Sequence, residues 1–585
     1  MEPYLENLFR LRNIESIALF NGGSIIAVLL SETYKEYKKK EYKKYINIFD
    51  NKLNLKDTIS GYGIHGLSFS DDGRLLYVEG GNINIIGNTG DKFTVKFDGE
   101  IDDAFWNQNE IIFSATPEKK KNENDAYFFE ENAPLTQLYK LDFENGIHNI
   151  NNALHIWEFA ASGENIYAVA SVCPQESCWY TAMLYHMNYD GKATIIYNPG
   201  RRQIGKLKAL PDGVAFLESI MSDRGVISGD VLVYRNGAAK NITEHSTSTY
   251  SHIEFENGKM YLLENHMADF SIIEAESKSV LWSGSGIVYP VFSPAFSLSA
   301  GTFALAFSNE NEVPEVKLFG NIEGKTRINI ELNGIKFFPS ERVEWKSRDG
   351  KNIYGFFRQN GDNSPLIVYI HGGPTSFSFP AAIDRMAIYL QAGFSVFLPN
   401  YRGSIGMGRD YAESNLGDLG GMDFEDIISG IDWLRHTGRI KTGRIYITGG
   451  SYGGYISALA IMKSDIFAAS VSLYGISDWI SFHGSSNLYN WDRIHMDEDP
   501  YNFERYDKFS AIRMKHKVKT PILLMHGIED PYVPVGQYYE FFRFLKEHGN
   551  NVRLLLYPRE GHGFSEKGHI VQQYEETFKF FNENK

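Results

Sequence analysis

A serine, a carboxylate and a histidine follow one another in this 585-residue chain in an order that acyl-transfer chemistry uses. Ser451 lies within ITGGSYGGYISALA (447–460), between a β-like apolar run and a helix-like stretch, with Gly449, Gly450, Gly453 and Gly454 around it. Glycines at such a junction either cradle a phosphate or let the backbone bend until a nucleophile stands clear of a sheet. A phosphate loop needs Lys and then Ser or Thr after its last glycine, whereas Tyr455 and Ile456 follow Gly454. G-x-G-x-x-G cannot be laid on this spacing either. What remains is G-x-S-x-G between a strand and a helix, the setting of a nucleophile elbow.

A serine hydroxyl attacks poorly unless a base within hydrogen-bond reach removes its proton, and the base needs an orienting acid. TPILLMHGIEDPYVP puts Glu529 and Asp530 just past one strand-like run, and YPREGHGF puts His562 just past the next. Both are places where the C-terminal ends of parallel strands converge. The order serine, acid, histidine is that of an α/β hydrolase. Among the neighbours, Glu560 reads as a surface or loop-capping carboxylate, His526 as part of a turn, and His569 as a weaker rival base. The oxyanion of a tetrahedral intermediate needs fixed N–H donors. Tyr452, after the nucleophile, is expected to give one backbone amide. HGGP (371–374), directly after PLIVYI, is expected to give the other from Gly373, with Gly372 as the alternative.

The elements that must carry these residues divide the chain in two. From about residue 335, buried-strand runs alternate with amphipathic helices: PLIVYI with AAIDRMAIYLQAG, FSVFLP with MDFEDIISGIDWLRHTG, RIYITG with SYGGYISALAIMK, PILLMHG with VGQYYEFFRFLKEHG, and LLLYP with HIVQQYEETFKFFNEN. Runs without alternation mark strands covered on both faces, so 335–585 is expected to be an α/β-hydrolase domain. RVEWKS and NIYGFFRQ alternate better and suit an antiparallel edge hairpin.

Residues 1–325 read as an all-β N-terminal domain in which strand, turn and strand recur. Apolar residues before the turns, Phe20, Phe69, Phe105, Phe159, Leu210, Phe255 and Phe292, recur about every 45 residues, the length of one propeller blade. A seven-bladed propeller is expected, with the first ~15 residues left to pack on the hydrolase domain.

Composition is that of a globular chain: 43% hydrophobic, 22% charged, with 40 Phe and 35 Tyr. A net charge of −15 argues against nucleic acid as a partner. No run approaches the ~20 apolar residues that cross a bilayer, and the start MEPYLENLFRLRNIES is unlike a signal peptide, so a cytoplasmic enzyme without membrane partners is expected. KEYKKKEYKKY (35–45) reads as a solvated hairpin loop. Cys173 and Cys178 could close a small loop, but a reduced pair is expected in a cytoplasmic chain. They form no metal site, and the chemistry requires neither metal nor cofactor. Exposed propeller edges leave self-association open.

HGGP (371–374), NYRGSIGMG (400–408), GGSYGGY (449–455), HGIEDPYVP (526–534) and GHGF (561–564) together resemble the prolyl oligopeptidase family of serine peptidases, nearest its acylaminoacyl-peptidase branch. The resemblance covers about 340–585 and places the acid on Asp530 rather than Glu529. It implies an exo- or oligopeptidase acting on short peptides, with the propeller over the site, and with Trp479 and Phe482 lining the pocket for the residue before the cleaved bond. Release of N-acylated or N-terminal amino acids is the activity it implies, with esterase activity beside it. Two departures stand out: Met407 replaces the family's frequent tyrosine, and Pro531, Tyr532 and Val533 follow the acid where classical prolyl oligopeptidases carry an arginine. FFEEN offers Glu130 and Glu131 as a paired-glutamate motif of the dipeptidyl-peptidase branch, although its acidic, lysine-rich surroundings suit a solvated loop. A carboxylesterase and a non-catalytic propeller scaffold are the rival readings.

Overall fold

Period-two alternation in the first half folds into seven antiparallel sheets, each built from consecutive strands. The computed structural model describes all residues except 1, 119–128, 132, 151–152, 226, 291–292, 333–337, 380 and 515–517. Blade 1 covers 12–62, blade 2 65–96, blade 3 99–149, blade 4 155–197, blade 5 203–241, blade 6 249–285 and blade 7 287–325. Phe20, Phe69, Phe105, Phe159, Leu210 and Phe255 all fall in the innermost strand of their blade, while Phe292 lies outside the described residues. Anchors of adjacent blades touch, with ring centroids 5.8 Å apart for Phe20 and Phe69 and 4.8 Å for Phe105 and Phe159. Aromatic contact at the repeat's anchor positions thus joins blade 1 to blade 2 and blade 3 to blade 4. Among the described residues, blades 1 and 7 share no strand. Side chains close the ring instead: Thr302 Oγ1 donates to the Gly22 carbonyl (2.8 Å), and Asn329 bonds both the N–H and the C=O of Arg12 (2.9 and 3.1 Å).

The second half is an eight-stranded sheet: β1 (Glu341–Lys346), β2 (Asn352–Arg358), β3 (Leu366–Ile370), β4 (Ser395–Asn400), β5 (Ile445–Gly450), β6 (Ala469–Leu473), β7 (Ile522–Gly527) and β8 (Val552–Tyr557). Its order is β1-β2-β4-β3-β5-β6-β7-β8. The hairpin β1–β2 and the β2–β4 pair are antiparallel, and the remaining pairs are parallel. Helices α2 (Met422–His436), α3 (Tyr452–Lys463), α6 (Gly536–Glu547) and α7 (Lys567–Glu583) cover the faces, and α4 (Trp479–Ser485) and α5 (Tyr489–Met496) follow β6. The helix expected over AAIDRMAIYLQAG shrinks to Ala387–Gln391. Asp384 draws the chain out of helical geometry there, because its carboxylate pairs with the buried Arg358 guanidinium (2.8 Å) and caps the N–H of Ala387 (2.6 Å).

The first helix, α1 (Glu2–Arg10), buries Tyr4, Leu5, Leu8 and Phe9, and Tyr4 Oη donates to the carbonyl of Ala382 in the hydrolase domain (3.4 Å). Blade 5 meets the hydrolase through ion pairs: Arg202 with Glu413 (2.7 and 3.1 Å) and Arg409 with Glu218 and Asp230 (3.1 and 3.0 Å). Two expectations change. KEYKKKEYKKY lies on a hairpin loop, but it is not merely solvated: the N–H of Lys35 donates to Ser565 O (2.7 Å), and Arg559 stacks over the ring of Tyr37 (4.9 Å), so the loop rests on the segment that flanks His562 on both sides. Cys173 and Cys178 are joined in a disulfide rather than reduced, because the turn before Glu176–Thr181 brings their Cα atoms to 6.1 Å. Among the described residues, no helix is long and apolar enough to cross a membrane, and no cluster of His, Cys, Asp and Glu has the geometry to hold a metal.

Candidate active site

The bend at Ser451 rests on absent side chains. A Cβ on Gly449 would lie 2.3 Å from Ile370 O, and one on Gly453 would lie 2.2 Å from the same atom, so α3 starts against the end of β3 only because both are glycine. Gly454 plays the same part against β6, where a Cβ would stand 2.3 Å from Leu473 O. Ser451 itself holds φ 59° and ψ −120°, a region costly for any side chain. Its N–H donates to Leu473 O (3.0 Å) and its C=O accepts from Tyr455 N (2.9 Å), which hold it in that conformation. Gly453→Ala is expected to destabilise the fold by about 3 kcal/mol in urea unfolding, because backbone rather than a yielding side chain blocks the methyl. Gly568→Ala, where a Cβ meets nothing within 4 Å, should leave the midpoint unchanged within error.

Past the bend, three side chains fall into line. Ser451 Oγ lies 2.8 Å from His562 Nε2, and His562 Nδ1 lies 2.8 Å from Asp530 Oδ2. The other Asp530 oxygen accepts the N–H groups of Tyr532 and Val533 (3.0 Å each). That arrangement fixes the imidazole with its proton on Nδ1 and a lone pair toward the serine. Burial alone would raise the Asp530 pKa, but hydrogen bonds from His526 and His562 prevail and hold it at about 2. His526 donates to Val533 O (2.7 Å) and so shapes the turn. Glu529 is exposed. Glu560 is buried and caps the loop through Ser565 N, Glu566 N and His569, which draws His569 away from the serine.

Tyr452 and Gly373 border the same cavity as Ser451 and His562. Gly372 runs alongside, where a Cβ would come within 3.4 Å of Ser451 Cβ. Gly373 has φ +114°, and a Cβ there would lie 2.6 Å from Thr375 N, so no other residue fits. The HGGP loop is held from both domains. His371 stacks on Tyr401 (4.4 Å) and bonds Ser404 Oγ (2.9 Å), while Thr375 N donates to Ser222 Oγ of the propeller (2.8 Å). Burial pushes His371 down to about 4, so it is neutral at pH 7 and serves as a scaffold. The Tyr452 ring is buried and turns away to bond Asp423, whose own carboxyl burial raises to about 6.

A cavity of about 520 Å³ opens beside the serine. Phe482 lines it, with Ile476, Leu488, Trp491 and Val533. Trp479 does not: it is fully buried one layer behind, between Tyr455 (5.0 Å) and Trp491 (5.8 Å). The α4 helix has room for one of its two aromatics on the cavity side, and Trp491 from α5 supplies the wall assigned to Trp479. Nothing in the sequence sets α5 apart from its surroundings, so no pattern there points to Trp491. The propeller adds Glu176, Ser222, Asp223 and Arg224, and Arg224 pairs with Glu176 in two bonds (2.9 and 3.0 Å). No periodicity marks these loop residues. Glu130 and Glu131 sit in an exposed turn outside the cavity.

Fold and site together define an α/β hydrolase with a serine, histidine and aspartate in hydrogen-bond contact under a seven-bladed propeller. Residues 381–585, about a third of the chain, match the prolyl oligopeptidase family. The chain is similar to an uncharacterized peptidase, YuxL, of Bacillus subtilis (30% identical over 241 residues, 40% of this chain and 37% of that protein). It is also similar to the acylamino-acid-releasing enzyme of Arabidopsis thaliana (33% over 216 residues, 35% of this chain and 28% of that enzyme). The matched stretch thus spans about a third of the length of these curated relatives. Pyrococcus horikoshii acylaminoacyl peptidase shares the architecture, at TM-score 0.83 and 19% identity over 99% of this chain and 97% of that one.

Proposed function

We propose that this protein is a serine peptidase that hydrolyses short peptides through an acyl-enzyme and releases N-acylated or N-terminal amino acids. The observation that carries the reading is the unbroken line Asp530–His562–Ser451, at 2.8 Å per step, opening onto an apolar cavity. Ser451 attacks the scissile carbonyl and His562 takes its proton. Asp530 keeps the imidazole in the reactive tautomer and stabilises it once charged. The amides of Tyr452 and Gly373 hold the oxyanion. His562 then protonates the departing amine, and water releases the acyl group by the same steps.

The pocket of Ile476, Phe482, Leu488 and Trp491 suits an apolar side chain before the cleaved bond. Propeller loops reach the serine, which supports exclusion of folded proteins. A second reading, release from free N-termini, draws on Glu176 on the cavity wall, whose carboxylate would have to exchange its two bonds with Arg224 for an ammonium. A cytoplasmic location, expected from the sequence, is not supported by the Cys173–Cys178 disulfide, a bond uncommon in reducing compartments.

A peptide panel tests both readings: acetylated against free N-termini, with Ala, Phe, Leu or Pro before the cleaved bond. Acetyl-Phe and acetyl-Leu peptides are expected to lead by about tenfold or more in kcat/KM. A lead for free N-termini would select the second reading. Ester turnover without any peptide cleavage would leave a carboxylesterase.

A further inference from the structure

Ser451 has a cavity on each flank. The larger lies on the side of Tyr452 and takes the acyl part in the reading above. The smaller, of about 320 Å³, lies on the side of Gly450 and, among the described residues, shares only Asp223, Gly373, Ser451 and His562 with the first. Its far wall is aromatic and apolar: Tyr369 from the end of β3, Phe377 and Phe379 after the HGGP loop, Met386, and Tyr474 directly after β6.

The wall is built in advance of any ligand. A Cβ on Gly450 would stand 2.5 Å from Tyr474 Oη, so bare backbone lets that ring lean beside the nucleophile, its centroid 5.2 Å from the His562 ring. Phe377 is buried between Phe379 (5.4 Å) and Phe270 of blade 6 (6.3 Å). The loop that carries both phenylalanines is tied down: Ile405 N donates to Ser376 O (2.9 Å), Ser378 N to Asn400 Oδ1 (2.6 Å), and Asn400 Nδ2 to Ser378 O (3.0 Å). Besides His562, the ionisable side chains on this wall are the carboxylate of Asp223, the buried neutral His371 and the two tyrosines.

Direction follows from the chemistry. A bound peptide whose carbonyl oxygen meets the Tyr452 and Gly373 amides, and whose acyl side chain lies against Phe482 and Trp491, must send its amine past His562, because that imidazole delivers the proton to the departing nitrogen. The Gly450 flank is where this half of the peptide then lies. We propose that the second cavity binds the first residue of the leaving group and selects an apolar or aromatic side chain there, with Asp and Glu disfavoured by Asp223. The proposal rests on the peptidase reading above.

Acyl transfer in the reverse sense reads this subsite directly. N-acetyl-phenylalanine methyl ester forms the acyl-enzyme, and an added amino-acid amide competes with water for it. In that step the amine nitrogen bonds the acyl carbon, Ser451 Oγ leaves, and His562 takes a proton from the amine and returns one to the serine. Phe-amide and Leu-amide are expected to capture the acyl group about ten- to a hundredfold better than Gly-amide, and Asp-amide least well. Phe379→Ala, at a half-buried position, should shrink the ratio of Phe-amide to Gly-amide at least fivefold. Equal capture of all the amides with normal ester turnover would overturn the subsite and leave the peptidase reading standing. A preference unmoved by Phe379→Ala would overturn its assignment to this cavity. Absence of ester turnover would overturn both.

Discussion

Replacing Ser451 with alanine is expected to lower kcat for peptide hydrolysis by about 10⁶-fold and to abolish labelling by a fluorophosphonate. The size of the effect follows from the way the three groups act as one. Without the hydroxyl, His562 has no proton to take and the carbonyl no atom to receive, so only the binding cavity and the oxyanion donors remain. Those leave a residual acceleration of about 10³–10⁴ over water. Folding should survive, since the bonds that hold residue 451 are made by its backbone, to Leu473 O and from Tyr455 N. A variant that kept more than a thousandth of wild-type activity, with contaminating peptidases excluded by active-site titration, would remove Ser451 from the mechanism.

Asp530→Asn is expected to cost about 10⁴-fold in kcat without loss of fold, for a different reason. One oxygen of residue 530 accepts the N–H groups of Tyr532 and Val533, so the asparagine carbonyl must take that place. Its NH₂ then faces His562 Nδ1 and moves the imidazole proton to Nε2, where it blocks acceptance from Ser451. The wild-type carboxyl, held at about 2, is ionised throughout the working range, so an acid limb of activity near neutrality cannot be its titration. Because the folded pKa lies below the unfolded value of about 3.9, Asp530 stabilises the fold above pH 4 and loses that contribution as pH falls through 2. The difference in urea midpoint between wild type and Asp530→Asn should therefore narrow as pH is lowered from 5 toward 2.

Much of this was readable from residue types. Buried parallel strands leave uninterrupted apolar runs, and β3, β4, β5, β7 and β8 stood out for that reason, whereas the serines of β6 interrupt its run. The ordered placement of Ser451, Asp530 and His562 after three of those strands carried the rest of the site. What escaped was set by contacts that leave no pattern. Trp479 and Trp491 both follow β6, and only the packing of α4 on α5 decides which faces the cavity. The lysine-rich loop looked solvated by charge, but it is held through a backbone N–H, which every residue type except proline offers. AAIDRMAIYLQAG has helical periodicity, yet the Arg358–Asp384 pair outweighs it. Ser222, Asp223 and Arg224 reach the site from a propeller loop that no spacing rule connects to Ser451.

The place of α1 carries a consequence for synthesis. Tyr4 bonds Ala382, 378 residues further along the chain, and Lys567 sits over the ring of Phe9 (4.9 Å). At about 5–20 residues per second, the apolar face of this helix waits on the order of 20–75 s after leaving the ribosome before its hydrolase partner exists. All seven blades emerge in that interval, each finished once its own outermost strand is out. Blade 1 shelters the helix in part, since Thr33 Oγ1 donates to Leu8 O (2.8 Å) and the ring of Tyr34 meets Phe9 edge-on at 5.3 Å. A helix made before all seven blades is thus among the last elements to be seated, and its docking draws together the propeller and hydrolase parts of a newly translated chain.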